Sequence, residues 1–536
     1  MSTAAGRSSA AASLLLLALL ALQVSSARRT SVTYDEPGHL RYGTRLLSGE
    51  TARFDDSKMP VSAVNALAGR VAASLPPGPF RRALSGWLPA RVPTMLAGVA
   101  LAALVFVWAR ELYGARAGLL ALALTVLDPN LLAHGRLVTT DLWAALAFTL
   151  VLWTFWRFCR ERTYGRGILA ALALGAALAV KYSAVLLPPI LLLLALLRFG
   201  PEPVRRAREE GPRSLARQLA RAAAWAAVFA VLALLVVNAA FLFQGTGTPL
   251  ARYELRSATL RAVQARSPGL ARVPLPVPYA WLEGLDWVHH RERTGEGWGS
   301  VYLRGERRER GGFRGYYLWA WAYKVPLATQ LALAAALLVA WRRRARHAWR
   351  RDEAFLLLPP TFLALHLNLF FAAQMGVRYS LMLFPPLYVF CGSLAAGPPL
   401  GAAGPLPRRA RLALGAGAGW LIVSVLSWHP HYLAYFNELL LDRKQAWRVL
   451  ADSNLDWGQS EAEVAEWLAA HPGAVRDPRE PRAGLVLVRA NFLTGVLQGD
   501  RYAWLRRLEP VGHVGYANLV FQVRPEDLPP RQRAEP

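Results

Sequence analysis

Eleven apolar runs, joined by short connections of which every second one is basic, constrain this chain more than any other feature. They cover residues 10–26, 92–109, 117–133, 141–158, 167–180, 183–198, 222–243, 325–341, 353–371, 380–396 and 411–428. A helix needs about 20 mostly apolar residues to cross a bilayer, and several of these runs are shorter. The 117–133 run is interrupted by Asp128-Pro129, and the 167–180 run ends abruptly at Lys181. Such helices stop short of the interface or line a polar cavity, where broken backbone is tolerated. The expected fold is a polytopic α-helical membrane protein of about eleven transmembrane helices.

Orientation follows from lysine and arginine in the short loops. With the first span running outward, the cytoplasmic connections hold Arg110 and Arg116, then Arg157, Arg160, Arg162 and Arg166, then Arg205, Arg206, Arg208, Arg213 and Arg217. Later ones hold Arg342, Arg343, Arg344, Arg346, Arg350 and Arg351, and finally Arg408, Arg409 and Arg411. Composition agrees: 54% hydrophobic residues coexist with a formal charge of +27, a pairing that charged loops between spans readily produce. Nucleic-acid binding would need those arginines on one face of a folded domain, and here they punctuate apolar runs. Residues 1–27 read as a retained first span, with a cleaved secretory signal as the alternative. Cys159 and Cys391 lie near cytoplasmic helix ends and read as packing residues, neither a disulfide nor a thiol metal site.

Three outer regions are long: 27–91, 244–324 and 429–536. The chain thus divides into a membrane domain, 1–428, and an outer C-terminal domain, 429–536. In the latter, Gly484–Arg489 and Leu519–Val523 alternate like strands, and Glu461–Ala470 has helical spacing. A small α/β domain is expected there, with a disordered tail from Arg524 to Pro536. The 244–324 loop, rich in Tyr279, Trp281, Trp287, His289, His290, Trp298 and Tyr302, reads first as an interfacial aromatic belt, part of which could cover a site.

Chemistry-bearing residues collect on the outer side. Thr33-Tyr-Asp-Glu-Pro-Gly-His39 opens the first loop. Its Asp35-Glu36 pair reads either as a helix cap before Pro37 or as a general base with a partner. In the second loop, His134, Arg136 and Asp141 sit at outer helix ends, where ionisable groups are costly and are functional candidates by default. Thr140 or Asp141 could equally begin the next helix. Lys181-Tyr182-Ser183 and Arg378-Tyr379 follow at two more outer turns. One such cation is ordinary snorkelling; two, with several carboxylates, can converge on one cavity that suits a phosphate.

The ordered set Thr33–His39, Asp128–Asp141, Lys181–Ser183 and Arg378–Tyr379 resembles the motifs of bacterial protein O-mannosyltransferase-like glycosyltransferases, family 39 relatives with the GT-C membrane fold. His429–Glu438 and Asp452–Gln459 are also similar to segments of bacterial members. The resemblance implies transfer of a sugar from a polyprenyl-phosphate carrier to an acceptor (protein, envelope glycan or lipid) outside the cytoplasmic membrane, with inversion. It implies Asp35 as base with Glu36 beside it, and Asp141 as the second acidic position. Lys181 and Arg378 are then the candidates for the carrier phosphate, with Arg136, His134, Tyr182 and Tyr379 around them. No cofactor or metal is expected. The 244–324 loop is too short for the β-trefoil domain of eukaryotic members, which leaves the acceptor class open. Asp456-Trp457-Gly458 is read as a local turn, with Asp452 and Asn454 as possible acceptor contacts. The rival readings are a lipid or sugar-lipid transporter, and an assembly protein recruiting partners through 429–536.

Overall fold

The computed structural model describes residues 2–50, 58–200, 209, 211–296, 299–344, 352–396 and 406–529. Trp298, the loop arginines Arg205, Arg206, Arg208, Arg346, Arg350 and Arg351, and residues 530–536 of the tail lie outside them. Every one of the eleven apolar runs is helical. Among the described residues six helices are long and apolar enough to cross a membrane: Gly6–Arg29, Leu88–Tyr113, Asp141–Arg160, Tyr182–Phe199, Arg213–Ala240 and Arg408–Leu426. A seventh crossing comes from Tyr316–Lys324 and Leu327–Arg342 if that pair, bent by 111°, is one span. Ala115–Val126, Tyr164–Val180 and Ala354–Leu369 are apolar but shorter, and residues 377–395 form one α-helix, Phe384–Cys391, between two 3-10 segments. The chain is a multi-pass membrane protein in which long apolar helices alternate with shorter ones.

The first helix is part of this bundle: it packs on Leu88–Tyr113 and Ala115–Val126, burying Leu19, Gln23 and Ser26. Both cysteines are free and buried, as packing residues are. At the sharp bend, backbone carbonyls lose their helical donors and must find others. Asn437 donates to the carbonyls of Ala322 and Val325 at 2.6 and 2.7 Å, and Gln330 donates to the carbonyls of Ala322 and Val325. Lys324, only 1% exposed, donates to the carbonyls of Leu433 and Asn454 at 2.8 and 2.6 Å. The bend is thus sealed largely by residues of the C-terminal region.

That region forms the expected small α/β unit. Its sheet runs β3 (Val475–Arg476), β4 (Gly484–Arg489), β6 (Asn518–Val523), β5 (Gly512–Val514), with β4 and β6 antiparallel in register Gly484 to Val523. The helix spans Glu461–Ala470 as its periodicity predicts, and Val464 packs with Leu487, Val514 and Val520 beneath it. The tail is ordered further than expected, since Pro525–Asp527 closes a 3-10 turn with Asp527 accepting the Arg524 amide. A separate hairpin of β1 (Val301–Leu303) and β2 (Glu306–Arg308) lies in the 244–324 loop.

One buried ion pair ties the first outer loop to the bundle. The Glu36 carboxylate, 0% exposed, accepts from Arg91 Nε and Nη2 at 2.8 and 2.7 Å, from the Thr33 amide at 2.9 Å and from the Val138 amide at 3.1 Å. Arg91 also donates to the carbonyls of Ala27 and Ser31, both at 3.0 Å. Burial alone would raise the Glu36 carboxyl, but Arg91 and the two amides outweigh it and hold it below the usual range. Removing one member of such a pair strands the other charge, at a cost of about 3–5 kcal/mol. Arg91→Met is therefore expected to lower the thermal unfolding midpoint of the detergent-solubilised protein sharply, and Arg91→Met with Glu36→Leu to recover part of the loss. Equal midpoints for wild type and the single variant would contradict this role.

Candidate functional site

Three carboxylates could cap helices, and the structure separates them by use. Asp128 caps: its Oδ1 accepts from the amides of Asn130 and Leu131 at 2.6 and 2.9 Å, and Tyr388 donates its hydroxyl to Oδ2. Asp35 stands at the N-cap position of Glu36–Leu47 but makes no side-chain cap bond, and Thr140 makes none for Asp141–Arg160. The Asp35 and Asp141 carboxylates are instead spent on cations from distant parts of the chain.

Those cations are the two picked from the outer turns. Arg378 Nη1 lies 2.8 Å from Asp35 Oδ2 and 3.7 Å from Asp141 Oδ2. Lys181 Nζ lies 2.5 Å from Asp141 Oδ1. The four groups form a chain of alternating charge, Asp35, Arg378, Asp141, Lys181. Side-chain exposure is 23% at Asp35 and 13% at Lys181 but only 7% and 5% at Arg378 and Asp141, so the chain is buried in its middle and Asp35 is its most accessible member. The Tyr379 ring lies between the cations, 4.8 Å from Lys181 Nζ and 5.1 Å from the Arg378 guanidinium carbon. Burial works to raise the Asp35 carboxyl, but the Arg378 ion pair outweighs it and holds the group below the ordinary carboxylate range.

The other expected residues divide. Tyr182 is buried beside Lys181. Together with Ser183, Tyr379, Met382, Phe371, His289 and Glu292 it lines a cavity of about 190 Å³. The helix Tyr279–Thr294 of the 244–324 loop forms one wall of it, while Trp281 anchors that helix by donating to the Leu178 carbonyl at 3.0 Å. The loop is therefore built into the site region as well as being aromatic. His134 lies with its ring 6.0 Å from Trp457. Glu36 and Arg136 are not brought to the cluster. Glu36 is consumed by Arg91, and Arg136, 0% exposed, donates to Thr30 Oγ1 at 2.6 Å behind it. Adjacency in sequence put Glu36 beside Asp35, but successive residues at a helix start point in different directions.

The C-terminal domain supplies what the motif reading undervalued. Trp457 lies over Arg378, 4.2 Å from ring centroid to guanidinium carbon, so the segment read as a turn also covers a site cation. The turn is real too, with Asp456 Oδ1 accepting the Gly458 amide at 3.2 Å. The amides of Tyr34 and Ser31 donate to the carbonyls of Trp457 and Gln459 at 3.0 and 2.8 Å. Asn454 Oδ1 accepts the Val377 amide at 2.9 Å. Gly376, at φ +110°, sits where a Cβ would come within 2.7 Å of Ser453 Oγ, so only glycine admits this contact. The 452–459 loop thus grips both the segment leading to Asp35 and the turn carrying Arg378. Arg91 and Lys324 were also missed. Each directly precedes an apolar run at the end that the loop charges assign to the outside, against the usual inward bias of cations, and that was the available signal.

Among the described residues, no three His, Cys, Asp or Glu side chains converge as a metal-binding group. The arrangement suits an anion drawn to two cations next to a carboxylate that can take a proton.

The oligosaccharyltransferase of Archaeoglobus fulgidus in its apo form aligns with a TM-score of 0.50 at 13% identity, over 85% of this chain and 59% of its own. ArnT from Cupriavidus metallidurans bound to undecaprenyl phosphate aligns with a TM-score of 0.49 at 14% identity, over 95% of this chain and 97% of its own. This chain has the fold of the GT-C membrane glycosyltransferases. Residues 84–206 match the family model described as dolichyl-phosphate-mannose-protein mannosyltransferase. A search of curated proteins by sequence gave no match.

Asp452 generates a test of the loop's place in the site. Its backbone holds φ +56°, its amide donates to Asn491 Oδ1 at 2.7 Å, and its Oδ1 accepts the Ser453 amide at 2.6 Å. Burial raises its carboxyl to about 6, with Arg378 opposing and Asp35 and Asp456 reinforcing the rise. A carboxyl raised above its unfolded value stabilises the fold in its protonated form, and that contribution is lost as pH climbs through 6. Asp452→Asn keeps the left-handed backbone, which Asn tolerates. Its unfolding midpoint is expected to match wild type near pH 4 and to exceed it at pH 7.5. A difference independent of pH would refute the assignment.

Proposed function

We propose that the chain transfers a sugar from a polyprenyl-phosphate donor to a hydroxyl acceptor on the outer side of the cytoplasmic membrane, in a single inverting displacement with Asp35 as general base. The observation that carries this reading is the alternating chain Asp35, Arg378, Asp141, Lys181, assembled from four separate outer turns. Its charges balance without a ligand. A donor phosphodiester adds a negative charge and must compete with one of the carboxylates for a cation. The more exposed contact, Asp35 to Arg378, is the one to yield. Phosphate binding would thereby release Asp35 at the moment it is needed.

In the step itself the acceptor O–H gives its proton to Asp35. Its oxygen forms a bond to the anomeric carbon as the bond from that carbon to the phosphate oxygen breaks. The electron pair leaves with polyprenyl phosphate, whose charge Lys181 and Arg378 neutralise. Asp141 holds both cations in place, and no other leaving-group activation is required because phosphate departs readily. The cavity beside Tyr182 and Tyr379, mostly apolar and facing the bundle, suits the first isoprene units. The ArnT neighbour bears on the donor class, having been solved with undecaprenyl phosphate; acceptor and sugar are open within it.

A positioned general base contributes about 10²–10⁴ in rate. With polyprenyl-phosphate mannose as donor probe and the wild-type membrane fraction as acceptor source, Asp35→Asn is expected to lose at least about 100-fold in transfer. Lys181→Met should instead raise the donor KM. A wild type that moves lipid between leaflets and transfers no sugar from any donor would replace this reading with a transporter.

A further inference from the structure

The first outer loop contains a second cleft, apart from the charge cluster, of about 840 Å³. That is within the range of about 300–1,000 Å³ usual for ligand sites. It lies between Glu36–Leu47, Ser62–Ser74 and the start of Leu88–Tyr113. The first two helices meet closely at Gly43, where a Cβ would come within 2.3 Å of the Ser62 carbonyl oxygen. The lining pairs an apolar surface, including Leu40, Ala66 and Ala73, with Arg70, Arg81 and Arg82, and among the described residues it includes no acidic side chain. All three arginines are exposed, and the only bond described for them runs from Arg81 to the Leu75 carbonyl at 3.1 Å.

The helix Ser62–Ser74 carries a second feature. Val64, Leu67 and Val71, spaced by three and four residues, are 46%, 50% and 55% exposed and so form an uncovered apolar stripe along one face. A spanning helix begins at Leu88, immediately after Trp87, which lines the cleft. An apolar stripe beside cations at the mouth of a span is the pattern of a helix lying in the bilayer interface.

We propose that this cleft binds an anionic lipid of the surrounding bilayer, its phosphate among Arg70, Arg81 and Arg82 and the first part of its chains against the apolar wall. Charge complementarity selects an anionic head over a zwitterionic one, and the exposed stripe places the cleft at the lipid surface. Leu40 and Thr44 belong to the helix that starts beside Asp35, and Ala90 precedes Arg91. A lipid here would therefore buttress the loop that holds Asp35. The proposal is independent of the sugar-transfer reading, and its test does not use activity.

The test uses the full-length protein in detergent, titrated with dioleoyl phosphatidylglycerol, dioleoyl phosphatidylcholine or inorganic phosphate, and read by native mass spectrometry and thermal unfolding. Phosphatidylglycerol is expected to remain bound to wild type and raise its unfolding midpoint, with phosphatidylcholine and phosphate having little effect. Arg70→Gln, Arg81→Gln and Arg82→Gln together should weaken phosphatidylglycerol binding at least about tenfold. The charge-matched control Arg252→Gln, Arg261→Gln and Arg266→Gln, in the 244–324 loop, should not. Ala73→Trp, which fills the cleft without altering its charge, should give the same loss and decides the matter should the triple variant fail to fold. Unchanged binding in the cleft variants overturns the proposal. So does equal binding of the two lipids, or an equal response to phosphate alone, which would make this a simple anion site.

Discussion

The buried pair of Glu36 and Arg91 is the interaction on which the charge-bearing end of this molecule depends. A carboxylate with no exposure to solvent survives only if every lone pair is met. Here the donors come from the end of the first loop's extended segment (Thr33), from the turn before Asp141–Arg160 (Val138), and from the start of Leu88–Tyr113 (Arg91). Arg91 adds the last carbonyls around the first helix's end. Three elements thus meet at one carboxylate, and the neighbouring residue, Asp35, is left pointing at Arg378. The adjacent acids share a sequence motif and divide the work: one fastens the loop, and the other is the most accessible member of the charge cluster.

A second constraint comes from outside the bundle. The 452–459 loop is bonded to residues 31–34 on one side and to the Gly376–Arg378 turn on the other, and Lys324 fastens it to the helix bend. Asp35 and Arg378 are separated by more than three hundred residues and belong to different helices. Their 2.8 Å contact is held because both supports are tied to the same loop. The C-terminal domain is accordingly part of the site's frame, which weakens the idea that it serves only to recruit partners.

Much of this was legible in the chain, for identifiable reasons. Apolar runs announce helices, and the period-two and helical patterns of Gly484–Arg489 and Glu461–Ala470 predicted those elements to the residue. Asp35, Asp141, Lys181 and Arg378 stood out because ionisable groups at the ends of apolar helices carry a desolvation cost. The span count was less legible, since an apolar run does not say whether its helix ends at the interface or inside the bundle. Glu36 and Asp35 could not be told apart, because the direction of each side chain depends on partners 55 and 343 positions away. Arg91 and Lys324 carried no motif that singled them out, and Trp457 read as part of a local turn, because the partners that define their roles are distant in sequence.

The central claim is that Arg378 is held by Asp35 until a donor phosphate takes it. Equilibrium binding of undecaprenyl phosphate to wild type, Asp35→Asn and Lys181→Met measures this directly. If the two anions compete for Arg378, Asp35→Asn binds the lipid phosphate several-fold more tightly than wild type, and Lys181→Met binds it more weakly. Weaker or unchanged binding in Asp35→Asn, with Lys181→Met equal to wild type, would contradict the account.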